Sequence, residues 1–409
     1  MGFISKLKSF FVSNKTFEID TGFSLVNPKT VSPSSLTVQE LLKKHKNWVY
    51  ACVTKNAKSV AAVPLRLYAI TNSSQAKPKV QHRPLKNFEL ERLSQTTKLK
   101  VNPLLDSTLT IDEIYVHPFL DLLQQENRQQ TIELVVTFLE LTGNAFVLII
   151  DDPIFDIPQN LVVIPSQNIK VRKNKQGEVE YYFKTNNLAQ PIKLPTEDVI
   201  HFKYANPLNE LWGLSPLASV FSSEELYEEM QLFELSLNKN SAIPSLIVKY
   251  ISGSLQKDDR KKLESEWNKA LRGINKAGKI KVADENFDIQ PIGLSPKDMQ
   301  YLSGRKWIRE EICGAFGVPL SLVTTTDVNL ANANAGIKIY EKFTILPKLQ
   351  LIENELNATI IQRYESGDRL FLAFDINLED EEFKLKKTTE LLSAGIIDRD
   401  EARAFYGFN

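Results

Sequence analysis

Gly273-Ile274-Asn275-Lys276-Ala277-Gly278-Lys279 has the glycine and lysine spacing of a phosphate-binding loop. In such a loop, backbone N–H groups cradle the phosphates of a nucleotide and the lysine reaches the terminal ones. The next position must be Ser or Thr to place a hydroxyl on magnesium, and here it is Ile280. The context is inverted as well. A helix precedes the loop and a strand follows it, so no helix N-terminus faces the phosphates. Gly213-Leu214-Ser215-Pro216-Leu217 has the outline of a nucleophile elbow, but Leu217 stands where the second glycine belongs. Pro216 also removes the backbone N–H that an oxyanion hole would use. Ser215 fits better as a helix N-cap, with Pro216 at the first helical position. Glu379-Asp380-Glu381-Glu382 offers four carboxylates, but consecutive acids on a helix point in different directions and read as a solvated helix start. His45, His82, His117 and His201 share no ligand spacing. Cys52 and Cys313 read as two reduced, buried thiols. No catalytic constellation, metal or cofactor is expected.

The elements must therefore serve another purpose, and composition narrows it. At 409 residues the chain can build two or three core-forming regions. A hydrophobic fraction of 43% and a charged fraction of 24% are globular values. Lys plus Arg equals Asp plus Glu, 50 against 50, for a formal net charge of zero. A tight duplex binder carries a basic excess, because its affinity comes from neutralising phosphates. Zero net charge argues against a tight duplex binder, though not against a channel through which DNA slides. No apolar run reaches the roughly 18 residues of a membrane span, so no membrane partner is expected. Residues 1–36 form an arm and linker. Phe3, Ile4, Leu7, Phe10 and Phe11 make one helical face there, suited to docking on the body or on a neighbouring copy.

Along the chain, Thr37 and Glu40 make a capping box that opens a helix running to Val63. Leu65–Ile70 alternates as a strand. Residues 71–110 are polar and basic, a solvated surface in preference to a phosphate-contacting insertion. Helices follow at Pro118–Gln124 and Thr131–Leu141, then strands at 145–150, 161–164, 169–173, 179–184 and 199–202. Asn174-Lys175-Gln176-Gly177 supplies the turn between two of them. A long helix from Ser215 to about Asn240 carries an apolar stripe of Leu226, Met230, Phe233 and Leu237 beside acidic Glu224, Glu225, Glu228 and Glu229. A small αβ unit has strands at 246–250, 279–283 and 287–291 around a helix at 257–271. A second long helix, 298–316, ends in Phe316-Gly317-Val318-Pro319. A loop of Thr, Asn, Ala and Asp comes next, then a long helix interrupted by Pro347.

This order resembles the portal proteins of tailed bacteriophages over roughly Trp48 to Phe408. The residues that carry it are Trp48-Val49-Tyr50-Ala51-Cys52-Val53 with Val63-Pro64-Leu65, and His117-Pro118 with Leu122-Leu123. Leu141-Thr142-Gly143-Asn144-Ala145-Phe146 and Gly213-Leu214-Ser215-Pro216-Leu217 follow. Then come Glu311 to Pro319, Ile352-Glu353-Asn354-Glu355-Leu356-Asn357, and Gly395 to Arg403. Two features depart from the family: the length of the basic segment 71–110, and Asn240-Ser241 where the family has Asn-Gly.

The resemblance implies an α+β, elongated portal-type subunit. It would have an α+β wing (37–210), a first stem helix (211–242), a clip (243–297) and a second stem helix (298–319). A tunnel loop (320–336), a long kinked wing helix (337–364) and a C-terminal wing or crown segment (365–409) would follow. It further implies a non-enzymatic ring of about a dozen copies at a capsid vertex of the virion, assembled in the host cytoplasm. Double-stranded DNA would pass through it, and the terminase large subunit, the head–tail connector and the major capsid protein or scaffold would dock on it. The implied DNA-facing loop residues are Thr324, Thr325, Thr326, Asp327, Asn329, Asn332 and Asn334. The implied channel-lining stem residues are Glu224, Glu225, Glu228, Glu229, Arg305 and Arg309, with pairing of Arg305 or Arg309 across subunits equally open. The implied terminase-docking residues are Lys257, Arg260, Lys261, Lys262 and Lys276. Two other readings compete: a nuclease-like DNA-processing enzyme holding substrate on 71–110, and a monomeric adaptor or scaffold.

Small neutral loop side chains can brush moving phosphates without gripping them. Replacing Thr325, Asn329 and Asn332 together with Lys is expected to leave assembly intact and to slow or stall packaging. A DNA-packaging assay that runs at the wild-type rate with this variant rules the loop out of the channel.

Overall fold

The computed structural model describes residues 36–72, 82–85, 89–90, 93, 109–125, 128–152, 154, 157–185, 190–239, 245–250, 258, 261–262, 265, 287–292, 301–324, 330–364, 369–376 and 381–405. The N-terminal arm and the proposed strand at 279–283 lie outside these. The chain divides into two compact units, residues 1–219 with 313–409, and Val220–Ile312.

Two helices open the first unit, α1 (Val38–Lys43) and α2 (Asn47–Ala62). The capping box forms: Glu40 N–H donates to Thr37 Oγ1 at 3.3 Å, and Thr37 N–H donates to Glu40 Oε2 at 2.7 Å. The single helix expected over 37–63 is broken at Lys44-His45-Lys46. Clustered cations disfavour continuing the helix, and Asn47 adopts φ +52°, which asparagine tolerates better than most residues. The buried face of α2 is Val49, Cys52, Val53, Asn56, Ala57, Val60 and Ala61, a 3.6-residue stripe with one polar member.

Strand β1 (Leu65–Asn72) is followed by β2 (His82–Pro84) and β3 (Leu109–Ile114). Part of the basic segment is thus built into a sheet. Arg83 is held there by Glu89 at 2.8 Å and Glu113 at 2.9 Å, and Arg66 pairs with Glu113 and Asp375. Helices α3 (Pro118–Gln125) and α4 (Arg128–Thr142) lead into β4 (Asn144–Asp151). Then come β5 (Pro158–Ile164), β6 (Ile169–Lys173), β7 (Val179–Phe183), β8 (Ile192–Leu194) and β9 (Val199–Lys203).

Strand β4 lies between β5 and β9, antiparallel to both. Phe146, Leu148 and Ile150 pack on Ile169, Val171, Tyr181, Phe183 and Leu194 of the sheet β6-β7-β8. Val147, on the opposite face, lines a small apolar cavity with Ile132 and Val135 of α4. Coverage on both faces is why β4 reads as an unbroken apolar run. Its length of 8 residues, inside a turn-bounded segment, marks it as a strand.

A short helix α5 (Pro216–Ser219) closes this part. Ser215 is its N-cap as expected: Oγ accepts the Ala218 N–H at 3.0 Å.

The second unit holds α6 (Phe221–Lys239), the antiparallel pair β10 (Ser245–Tyr250) and β11 (Phe287–Ile292), and α7, which runs Tyr301–Ala315. The expected apolar stripe on α6 is split: Met230 is half-buried beside Gly304, and the side chains of Phe233 and Leu237 lie outside the described residues. Phe221, Glu224 and Tyr227 are buried and Leu226 is exposed.

The chain then returns to the first unit. A left-handed Gly317, φ +66°, ends the helix, with Val318 N–H donating to Cys313 O at 2.9 Å. Helix α8 (Leu330–Tyr340) passes through a π-helical turn (Glu341–Ile345) into α9 (Leu346–Thr359). The kink expected at Pro347 therefore appears as a π-turn just before it. Proline cannot donate to the carbonyl four residues back and its ring crowds that carbonyl, and a wider turn relieves both. Strand β12 (Leu370–Phe374) pairs with β1, giving a sheet of order β12-β1-β3-β2. Helices α10 (Glu381–Ser393) and α11 (Arg399–Phe405) finish the chain.

Gly143 (φ +73°) and Gly213 face each other so closely that a Cβ on Gly213 would lie 2.1 Å from Gly143 O. Gly213→Ala is expected to lower stability by roughly 2–4 kcal/mol. The control is Gly177→Ala, which has φ +88° but nothing within 4 Å of the new methyl, and is expected to cost about 1 kcal/mol. Denaturant unfolding of both variants checks the contrast, and equal losses refute a close-packing role for Gly213.

Candidate functional site: the α7–α9 segment and its anchors

Residues 313–364 carry the loop that sequence reading singles out, and two buried polar assemblies hold the elements around it. The first centres on Glu140, which is fully buried on α4. Its carboxylate is met by Lys348 Nζ at 2.9 Å, by Tyr204 O–H at 2.7 Å and by Asn56 Nδ2 at 3.3 Å. Asn56 also donates to the Phe316 carbonyl at 3.0 Å and accepts from Tyr340 O–H at 2.8 Å. Helices α2 and α4, the end of β9, the chain just past α7, and both α8 and α9 thus share one hydrogen-bonded group. Phe316 directly follows the last residue of α7, where carbonyls have no partner in the helix itself, so Asn56 satisfies an orphan acceptor. Burial, then the Glu140 charge, holds the Tyr204 phenol well above its ordinary pKa, so it remains a donor. Burial pushes Tyr340 up to about 12. Beside this group the Cys52 and Cys313 thiols lie 3.7 Å apart, both buried and neither in a disulfide. The hydrogen bond to Cys313 and burial push the Cys52 thiol up, which keeps it protonated and unreactive.

Thr344, turned inward by the π-turn, donates to Gly317 O at 2.7 Å. This second contact ties the end of α7 to the long helix.

The second assembly centres on Asn144. Its Oδ1 accepts Gly213 N–H at 2.8 Å and lies 3.1 Å from His201 Nε2, and its Nδ2 donates to Thr142 O at 2.8 Å. Tyr204 N–H donates to Gly143 O at 3.0 Å. The His201 ring stacks on Phe146 with centroids 4.3 Å apart, and burial lowers its pKa to about 3. It is a neutral structural histidine.

The residues expected to face DNA are placed as follows. Thr324 is half-buried after a 3₁₀ turn (Leu320–Leu322) and donates through Oγ1 to Leu320 O at 3.1 Å. Thr325, Thr326, Asp327 and Asn329 lie outside the described residues. The loop is shorter than the expected 320–336, because α8 starts at Leu330 and places Asn332 and Asn334 on a helix. Ala331, Ala333 and Ala335 are the strongest helix formers, and a helix already held at Tyr340 extends readily through them. Asn334 is exposed.

The acidic stretch on α6 does not share one face. Glu224 is buried, Glu225 and Glu228 are half-buried, and Glu229 is exposed. Arg305 is engaged within the chain, by Glu234 at 2.7 Å and the Tyr227 hydroxyl at 3.3 Å. Arg309 is half-buried. Of the clip cations, Lys261 and Lys262 are exposed, and Lys257, Arg260 and Lys276 lie outside the described residues. No helix among the described residues is long and apolar enough to cross a membrane.

Sequence reading missed the Glu140 group. Its signal was present as a carboxylate set between the apolar Leu139 and Leu141 of α4 and one asparagine on the apolar face of α2, since such residues are buried only when paired.

A family model described as phage portal protein matches residues 91–407. A protein of Rickettsia bellii is 25% identical over 307 residues, which is 71% of this chain and 78% of that protein. The probable portal protein of Streptomyces phage phiC31 is 26% identical over 218 residues, 51% of this chain and 46% of that one. Among solved structures, a chain in the neck of an empty gene transfer agent particle, computed with C6 symmetry, superposes with a TM-score of 0.59 at 22% identity. That match covers 91% of this chain and 94% of the other.

Lys348→Met leaves a buried carboxylate without its cation and is expected to cost about 3 kcal/mol. Adding Glu140→Gln, which removes the unpaired charge, is expected to restore part of that. Urea unfolding of the single and double variants checks this, and a double variant weaker than the sum of both singles refutes the pairing.

Proposed function

The chain belongs to the phage portal protein family, and on that premise we propose that it is one subunit of a ring at a single capsid vertex, the passage for double-stranded DNA during packaging and ejection. The observation that carries this reading is the family match over residues 91–407. The formal net charge of zero agrees with it, since a passage that held phosphates tightly would act as a brake. The work of translocation belongs to a separate ATPase, and the subunit is structural rather than catalytic. The segment 243–297 is the docking site for the terminase large subunit and later for the head–tail connector. The exposure of its Lys261 and Lys262 is compatible with such contacts. The wing meets the capsid protein or scaffold, and assembly takes place in the host cytoplasm.

The loop within 320–336 is the narrow part of the passage. It follows a helix end held by Asn56 and Thr344 and precedes a helix held by Tyr340. Both flanks are thus tied to the body by hydrogen bonds.

Negative-stain electron microscopy with native mass measurement tests the reading. Rings of about a dozen copies are expected, with a central hole wide enough for duplex DNA. A uniform monomer under assembly conditions with capsid protein and scaffold present overturns it.

A further inference from the structure

Helix α2 packs through the side that carries Asn56, and there is no carboxylate anywhere on the helix. Between Val38 and Val63 the chain has five lysines, Lys43, Lys44, Lys46, Lys55 and Lys58, no arginine, and one acid, Glu40. Glu40 is spent in the capping box, where Oε2 accepts from both the Thr37 N–H and the Thr37 hydroxyl at 2.7 Å. Lys43, Lys46, Lys55 and Lys58 are exposed, and so is Tyr50, at 53%. Successive helical residues are turned by about 100°, which sets Tyr50, Thr54, Lys55 and Lys58 on one arc facing away from Asn56. Lys55 and Lys58 make no ion pair among the described residues. The helix and the π-turn packed on the inner side of α2 carry Glu133, Glu140 and Glu341. Glu140 is held by Lys348, and the other two are half-buried.

A chain whose charges balance overall thus gathers cations on one helical face. Two kinds of anion could lie on it, a carboxylate-rich peptide or a phosphodiester backbone, and the residues favour the second. Paired recognition of carboxylates relies on the planar fork of arginine, which this face lacks. Lysine is a point charge on a flexible stem, able to follow phosphates that lie at varied angles to the helix. The hydroxyls of Tyr50 and Thr54 are of the kind that contact nucleic-acid backbones. From Lys46 to Lys58 is about 18 Å along the helix, which spans about five phosphates of one duplex strand.

We infer that the outward face of α2, with Lys46, Tyr50, Thr54, Lys55 and Lys58, and Lys43 beside it, binds the phosphate backbone of duplex DNA without regard to sequence. This rests on the portal reading and deepens it, because it names a DNA contact separate from the passage. Asn56, which ties α2 to the helices flanking the loop, leaves α2 on the opposite side. Each face is weak alone. A ring presents one face per copy, so binding is multivalent and strongly salt-dependent.

A relaxed, covalently closed circular duplex tests it, because a circle cannot thread a ring that has already assembled. The full-length protein, after assembly, is titrated with a labelled circle of arbitrary sequence between about 50 and 200 mM salt. Wild type is expected to bind the circle at low salt. Lys55→Ser combined with Lys58→Ser is expected to weaken binding at least about tenfold there, and to lower the slope of log affinity against log salt by about two for each copy engaged. Lys55→Arg combined with Lys58→Arg keeps the charge and is expected to bind as wild type does. Thermal unfolding checks that each variant is folded. Poly-glutamate of matched charge is expected to displace the circle less well than unlabelled DNA. Equal displacement assigns the face to an acidic protein segment and overturns the inference. A circle that wild type does not bind, or that the Ser variant binds equally well, overturns it too. Native mass measurement of the same samples reads ring formation separately. Rings that do not bind the circle leave the portal reading standing, whereas monomers that bind it through Lys55 and Lys58 overturn the portal reading and leave the face.

Discussion

A carboxylate with no surface in water must be surrounded by donors, and in this protein the donors come from nearly every element around it. Glu140 receives Lys348, Tyr204 and Asn56, and Asn56 links on to Tyr340 and the Phe316 carbonyl. The desolvation of an ionised carboxylate is expensive, and each donor present lowers it. The group is therefore satisfied only when α2, α4, α8, α9 and the chain past α7 are all in place together. Apolar packing alone tolerates small slides between helices, whereas a shared carboxylate does not, because hydrogen bonds lose strength within a few tenths of an ångström. This is a source of the single arrangement around the loop that follows residue 316.

The Gly143–Gly213 approach plays the same part on the other side of β4. Two landmarks separated by some seventy residues in sequence are one contact in space: Asn144 bridges to Gly213 N–H and Gly143 O accepts from Tyr204. Tyr204 belongs to both assemblies, through its N–H here and its hydroxyl at Glu140. The glycines are required by backbone distance, and the asparagine by its ability to donate and accept at once. His201, which in isolation invites a catalytic reading, is spent on this packing.

Around these anchors the polar residues on the exposed surface divide by role. The basic segment contributes Arg83 to a sheet-edge ion-pair cluster with Glu89 and Glu113 instead of offering it to phosphates. The acids of α6 divide as well, Glu224 facing inward and Glu229 outward. A one-dimensional run of like charge is therefore a poor guide to a charged wall, because successive helical residues are turned by 100°.

Much of the fold was legible in the chain itself. The capping box at Thr37 and Glu40, the N-cap at Ser215, the Asn174–Gly177 turn, the apolar run of β4 and the helix stop at Gly317 are local devices. Their physics is settled within a few residues, so sequence determined them. So did the order of landmarks that points to the portal family. Tertiary structure alone decided which side of α6 is packed, where the loop ends and α8 begins, and why a π-turn rather than a break accommodates Pro347. It also decided that Asn56, Glu140, Tyr204, Tyr340 and Lys348 form one group. Those outcomes depend on residues up to 284 positions apart in sequence, as Asn56 and Tyr340 are. Helical periodicity states which residues share a face, but only the surrounding elements fix whether that face meets a core, a neighbouring copy or water.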